Sequence, residues 1–120
     1  MPDTKPHITT GKTGEDMAIQ FVEKRSYQVL ERNWRFSKSE VDIIASRGKT
    51  LHFFEVKTRR GKQQLLPEAS VNTKKMNKLK EAATAYLFDH PEWKYIQFDI
   101  LAITLFKTGE PEIFLIEDVY

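Results

Sequence analysis

Cysteine is absent from this chain. Disulfide frameworks, thiolate zinc sites and cysteine nucleophiles are therefore excluded, and the composition suits a reducing compartment. No stretch approaches the roughly 18 apolar residues that would span a bilayer. The segment from Met1 to Thr10 is polar and contains proline, with no apolar core of signal-peptide length. These absences predict a soluble, cytoplasmic protein without a membrane partner. Histidine is scarce, and His7, His52 and His90 have no metal-ligand spacing; His52 reads as a strand surface or packing residue and His90 as a helix-end residue. No internal repeat or low-complexity stretch is visible.

What is present is enough for one core. A chain of 120 residues with 40% hydrophobic residues is too short for two ordinary domains. We expect a flexible N-terminal tail over residues 1–10 and a single domain over 11–120. The net charge of +2 conceals a strong asymmetry. Lys57 to Lys80 carries eight Lys or Arg against the single acid Glu68, whereas Glu81 to Tyr120 carries eight acids against Lys94 and Lys107. A basic segment of this kind favours a polyanionic partner such as nucleic acid, although lysines also commonly cover a solvated helix face.

Hydrophobic spacing gives the element order. Glu15, Ala18, Ile19 and Val22 share one face of a helix running to about Arg25. Extended segments follow at Tyr27 to Arg35, Ser39 to Ala45 and Thr50 to Thr58, the last two joined at Arg47-Gly48-Lys49 as a hairpin. After a polar loop from Arg59 to about Ser70, Met76, Leu79, Ala83, Tyr86 and Leu87 predict a helix over Thr73 to Asp89, stopped by His90-Pro91. Tyr95 to Leu105 and Glu112 to Ile116 are the remaining strands. Strands on both sides of a crossover helix predict an α/β domain with a mixed sheet covered by helices.

The chemically informative residues are Glu40-Val41-Asp42-Ile43-Ile44 and Glu55-Val56-Lys57. Alternation along a strand puts Glu40, Asp42 and Ile44 on one face and Val41, Ile43 and Ala45 on the other. Pairing the hairpin about Arg47 to Lys49 brings Asp42 and Glu55 near one another across the two strands, with Lys57 on the same face as Glu55. Two adjacent carboxylates repel unless a cation lies between them, and magnesium prefers such oxygen ligands. Lys57 would then orient a water or stabilise a charged transition state. A lone E-x-K is usually an ordinary charged strand face. Here Leu51 to Val56 is apolar on both faces, and ionised groups inside such a strand need paired charges or a metal. Glu15 points to the apolar side of its helix and either joins the site or simply faces the helix dipole. Asp99, inside an apolar strand, is a candidate for support behind the site.

Two other signals carry less. Gly11-Lys12-Thr13 looks like the end of a phosphate-binding loop but lacks the earlier glycine, position 6 being Pro6, and a preceding strand. Trp34, Trp93, Tyr27, Tyr86 and Tyr95 could stack on bases, but such aromatics more often pack a core or its rim.

Gly11-x-x-Gly14-Glu15-x-x-Ala18, Arg32-Asn33, Glu40-Val41-Asp42-Ile43-Ile44, Phe54-Glu55-Val56-Lys57-Thr58-Arg59, Lys74 and Phe98-Asp99 together resemble the YraN family of uncharacterised bacterial proteins. That family is similar to the Holliday junction resolvases of the PD-(D/E)XK nuclease superfamily. The resemblance implies a restriction-endonuclease-like core of αβββαβ order. It also implies a catalytic set of Glu15, Asp42, Glu55 and Lys57, with Mg2+ or Mn2+ on Asp42 and Glu55. Lys74 matches a place where related enzymes keep a Lys or Gln near the phosphate. Ser39 stands where the family usually has Gly, and Gln97 where it usually has Arg before the Phe-Asp pair.

The expected function is a metal-dependent endonuclease hydrolysing DNA phosphodiester bonds, with branched, Holliday junction-like DNA among its substrates. Glu40 would be an auxiliary acid, and Arg59, Arg60, Lys62, Lys74, Lys75 and Lys78 would hold the phosphate backbone. Symmetric cutting of two strands would call for a homodimer. The alternatives are a non-catalytic nucleic-acid-binding module retaining the nuclease fold and, more simply, a protein-interaction domain.

Overall fold

The computed structural model describes residues 6–61 and 73–119. The elements are α1 (Pro6–Lys24), β1 (Gln28–Phe36), β2 (Ser39–Arg47), β3 (Thr50–Arg60), α2 (Thr73–Asp89), β4 (Tyr95–Leu105) and β5 (Glu112–Ile116). The order matches the hydrophobic pattern, and α2, β4 and β5 have the expected bounds. The main difference is at the start: α1 already includes Pro6, so residues 6–10, expected as tail, are helical. A proline is tolerated in a first turn because the N–H it lacks has no intrahelical acceptor there. Gly11-Lys12-Thr13 consequently lies within a helix and forms no phosphate-binding loop.

The five strands form one mixed sheet in the order β1-β2-β3-β4-β5. β3 and β4 are parallel and every other neighbouring pair is antiparallel. Parallel neighbours require a crossover connection, which α2 supplies. The two helices cover opposite faces. Ala18 and Val22 of α1 pack with Ile43, Ala45, Phe54, Leu101 and Ile103, while Leu79, Ala82, Ala83 and Tyr86 of α2 pack with Val41, Ile44, Leu51 and Phe53. β3 is the middle strand, and Leu51, Phe53 and Phe54 are fully buried. Its near-continuous apolar run is what a strand covered on both faces requires.

One glycine sets how closely α1 can approach this strand. A Cβ on Gly14 would lie 2.0 Å from Thr58 Oγ1, 2.8 Å from its Cγ2 and 2.9 Å from its Cβ. Because all three atoms of the β-branched side chain crowd the position, rotating Thr58 cannot relieve the clash. Gly14→Ala is therefore expected to destabilise the chain by about 1–3 kcal/mol through overpacking, measured by urea unfolding. The same variant with Thr58→Ala should recover most of the loss.

Candidate active site

The β2–β3 ladder runs from Arg47↔Thr50 to Ile43↔Phe54 and stops there. Beyond that point β2 stays paired with β1 as far as Ser39, and β3 stays paired with β4 as far as Arg60. The sheet thus forks where Asp42 and Glu55 would form the next pair. Asp42 occupies the split: its Oδ2 accepts the Val56 backbone N–H at 2.7 Å, replacing the missing ladder bond. Opposite Asp42 on the other side, Asn33 drops out of the β1–β2 ladder with φ of 55°, a conformation asparagine tolerates better than most residues.

The fork corrects the expected alternation. Val41 packs under α2 with Ile44, whereas Ile43 and Ala45 pack under α1. Val41 and Ile43 therefore face opposite sides of the sheet although they are two apart. Asp42 lies at the crossover between the two orientations, as residues at a local break in a ladder do.

Asp42 and Glu55 line one pocket of about 310 Å³ with Lys38, Ser39, Glu40, Val56, Lys75, Lys78 and Leu79. Lys75 Nζ donates to Glu55 Oε2 at 2.6 Å, and Lys57 Nζ lies 3.4 Å from the same oxygen. Glu40 is 3.7 Å from Arg35. Glu15 stands slightly apart, held by Asn33 Nδ2 at 3.4 Å and Arg32 at 3.8 Å. Burial pushes the Asp42 carboxyl up to about 7; the Val56 N–H opposes this, and the negative charges of Glu55, Glu40 and Glu15 add to it. The five acids and lysines read from the motifs as central, Glu15, Asp42, Glu55, Lys57 and Glu40, thus gather around one fork.

The basic residues divide. Lys75 and Lys78 line the pocket, Lys74 is exposed beside them, and Arg59 and Arg60 are exposed at the end of β3. Lys62 lies outside the described residues. It is Lys75, and not the motif-matched Lys74, that reaches the acids. The helical period contains that signal, since Lys75 shares a face with the buried Leu79, Ala82 and Tyr86. The Val56 N–H had no sequence signal at all. Ser39, the first departure from the family pattern, donates from Oγ to Glu81 at 3.0 Å.

Asp99 does not support this site. It is fully buried, pairs through Oδ2 with His52 Nδ1 at 2.7 Å, and accepts at Oδ1 from Gln97 Nε2 at 2.8 Å and the Asp118 N–H at 2.9 Å. None of these partners belongs to the acid cluster. His52 is likewise buried, under the edge of the Tyr27 ring, so it is a paired core residue. The second departure, Gln97, therefore concerns this pair. His90 is a helix-end residue as expected, its Nδ1 lying 2.9 Å from the Tyr86 carbonyl.

Among the described residues no group of three or more His, Cys, Asp or Glu is placed to hold a metal ion. Asp42 and Glu55 offer two hard oxygen donors in one pocket, which fits an ion that keeps most of its waters, as magnesium does. Among the described residues no helix is long and apolar enough to cross a membrane.

These features define an α/β protein with a half-buried carboxylate pair and a lysine cluster at a fork in its sheet. The chain belongs to the Uncharacterised protein family UPF0102, whose model matches residues 14–103, and this is the family its motifs resemble. It is 44% identical over 101 residues to the UPF0102 protein of Dictyoglomus thermophilum, covering 83% of this chain and 86% of that one. The UPF0102 protein of Cytophaga hutchinsonii is 39% identical, with 82% and 87% covered, and that of Koribacter versatilis 37% identical, with 99% and 84% covered. The matched region contains Gly14, the whole fork and every lysine of the pocket.

The raised Asp42 value makes stability depend on pH. Between the ordinary 3.8 and about 7 the folded chain holds a proton that the unfolded chain has released, so stability falls as pH rises through this window. Asp42→Asn keeps an acceptor for the Val56 N–H and removes the charge. In EDTA the variant should be more stable than wild type at pH 8 by about 2 kcal/mol, allowing for partial solvent access. At pH 4 the two should be nearly equal. Urea unfolding at both pH values measures the difference.

Proposed function

We propose that this chain is a metal-dependent nuclease with a restriction-endonuclease-like, PD-(D/E)XK core that hydrolyses DNA phosphodiester bonds. The observation that carries this reading is the position of Asp42 and Glu55 at the open fork, lining one pocket with Lys38, Lys75 and Lys78. In this reading Asp42 and Glu55 hold Mg2+ or Mn2+. When bound, the ion polarises the scissile phosphate and makes a water acidic enough to supply hydroxide.

The chain's own groups do the remainder. Lys57, tethered on the same face of β3 as Glu55, donates to the attacking water or to the phosphate oxygens as charge grows there. Glu40 and Glu15 maintain the negative field that draws a cation in. Arg59, Arg60, Lys62, Lys74 and Lys78 contact the backbone of the duplex, so binding follows nucleic-acid shape more than base sequence. Arg59 and Arg60 are exposed at the end of β3, on the strand that carries Glu55 and Lys57. Cutting both strands of a branched DNA requires two such sites, and hence a homodimer. The protein would act in the cytoplasm, where its DNA substrate lies.

A second reading has its own support. Two lysines already neutralise Glu55, which is a sufficient structural reason for the acid to be present in a nucleic-acid-binding module that cleaves nothing. Calorimetry with Mg2+ and Mn2+, followed by incubation with branched and linear DNA, separates the two. The nuclease reading expects metal heat in wild type that is lost in Asp42→Ala/Glu55→Ala, and cleavage by wild type only. Lys57→Ala should cut at least about 100-fold more slowly while its DNA affinity stays within a few-fold of wild type; undiminished cleavage by this variant would remove Lys57 from the mechanism. Salt-sensitive DNA binding with no metal heat and no product would leave the binding module.

A further inference from the structure

The pocket at the fork contains more acid than its cations reach. Two ammonium groups go to one atom, Glu55 Oε2, with Lys75 at 2.6 Å and Lys57 at 3.4 Å. Among the described residues Asp42 makes no ion pair, and its hydrogen-bond donor is the Val56 N–H. A divalent ion shared by Asp42 and Glu55 would set a further positive charge against a carboxylate that Lys75 and Lys57 already neutralise, so ion and ammonium repel and compete for it.

The two lysines differ in how easily they can leave. Lys57 is fixed two residues from Glu55 on the same strand and is the more buried of the two, 29% exposed against 45% for Lys75. Lys75 comes from the first turn of α2 at the end of a flexible four-carbon stem. A compact ammonium on such a stem can swing away without disturbing the sheet. Lys78 lies one turn further along the same helix face and lines the same pocket. Displaced from Glu55, Lys75 would remain beside Lys78, which lines the same pocket.

We propose that Lys75 is an internal counter-ion that competes with divalent metal for Glu55 and, once displaced, turns to the nucleic-acid backbone, so that metal and DNA bind with positive coupling. This inference rests on the nuclease reading of the site. Metal entering the pocket releases Lys75 for a phosphate, and a phosphate engaging Lys75 releases Glu55 for the metal. Linkage makes the factor the same in both directions. The arrangement keeps the metal weakly bound until DNA arrives, which confines an assembled hydrolytic centre to the complex.

Calorimetric titration of Ca2+, a hard oxygen-seeking cation, into the full chain with and without a short DNA duplex tests the proposal, with Mn2+ repeated in the DNA-free arms. Lys75→Gln should bind the ion about five- to tenfold more tightly than wild type without DNA, within the usual range of coupling between sites. The duplex should tighten ion binding in wild type and leave Lys75→Gln nearly unchanged. Lys75→Arg retains the competing charge and should stay close to wild type. Circular dichroism melts confirm that both exposed-position variants fold. Equal ion affinity in wild type and Lys75→Gln overturns the exchange alone, provided that Asp42→Ala/Glu55→Ala loses the ion. Absence of ion binding in wild type and Lys75→Gln alike overturns the metal reading, and the exchange with it.

Discussion

The parting of β2 from β3 at Asp42 is the constraint on which the rest of the structure depends. Had the ladder continued, Asp42 and Glu55 would face each other as an ordinary cross-strand pair, and like charges directly opposite are destabilising. The fork replaces that arrangement with a carboxylate in the plane of the sheet, bonded to the Val56 N–H. It also switches the side on which β2 buries its residues, sending Val41 under α2 and Ile43 under α1. Both helices thereby pack on residues adjacent to the acid.

Two aspartates in this small domain, one buried and one half-buried, differ in how fully their charge is met. Asp99 is inaccessible to solvent and receives His52, Gln97 and the Asp118 N–H. That is the saturation a buried carboxylate needs, and the bond to Asp118 ties the segment after β5 to the core. Asp42 keeps some solvent access, accepts from the Val56 backbone N–H, and is surrounded by further acids. Its proton affinity is raised first by burial and then by those acids. Perturbed carboxylates in concave, partly exposed positions are the kind that cluster at functional sites, although structural charge networks shift them too.

The helix α1 contributes through closeness more than through chemistry. Gly14 allows its backbone to sit against Thr58, one residue beyond Lys57, while Glu15 is turned toward Arg32 and Asn33. The glycine and the acid adjacent to it thus perform different tasks: one sets the distance between helix and sheet, and the other adds negative potential behind Asp42.

The element order, the apolar run of β3 and the nearness of Asp42 to Glu55 were legible in the sequence because each follows from a local period or a short turn. Residues 73–89, 95–105 and 112–116 could be bounded in this way, their apolar positions being clear and their ends marked by proline, glycine or charge. The composition alone ruled out thiol chemistry. Tertiary structure decided what has no local signature. The fork depends on β2 and β3 choosing different partners beyond Phe54, and a strict two-residue alternation misplaces Val41 for that reason. The choice of Lys75 over Lys74 depends on the rotation of α2 above the sheet. The burial of His52 with Asp99 depends on the alignment of two parallel strands whose residues are 47 positions apart. Side-chain identity along the chain specified which charges were available, and only packing against distant strands determined which of them meet.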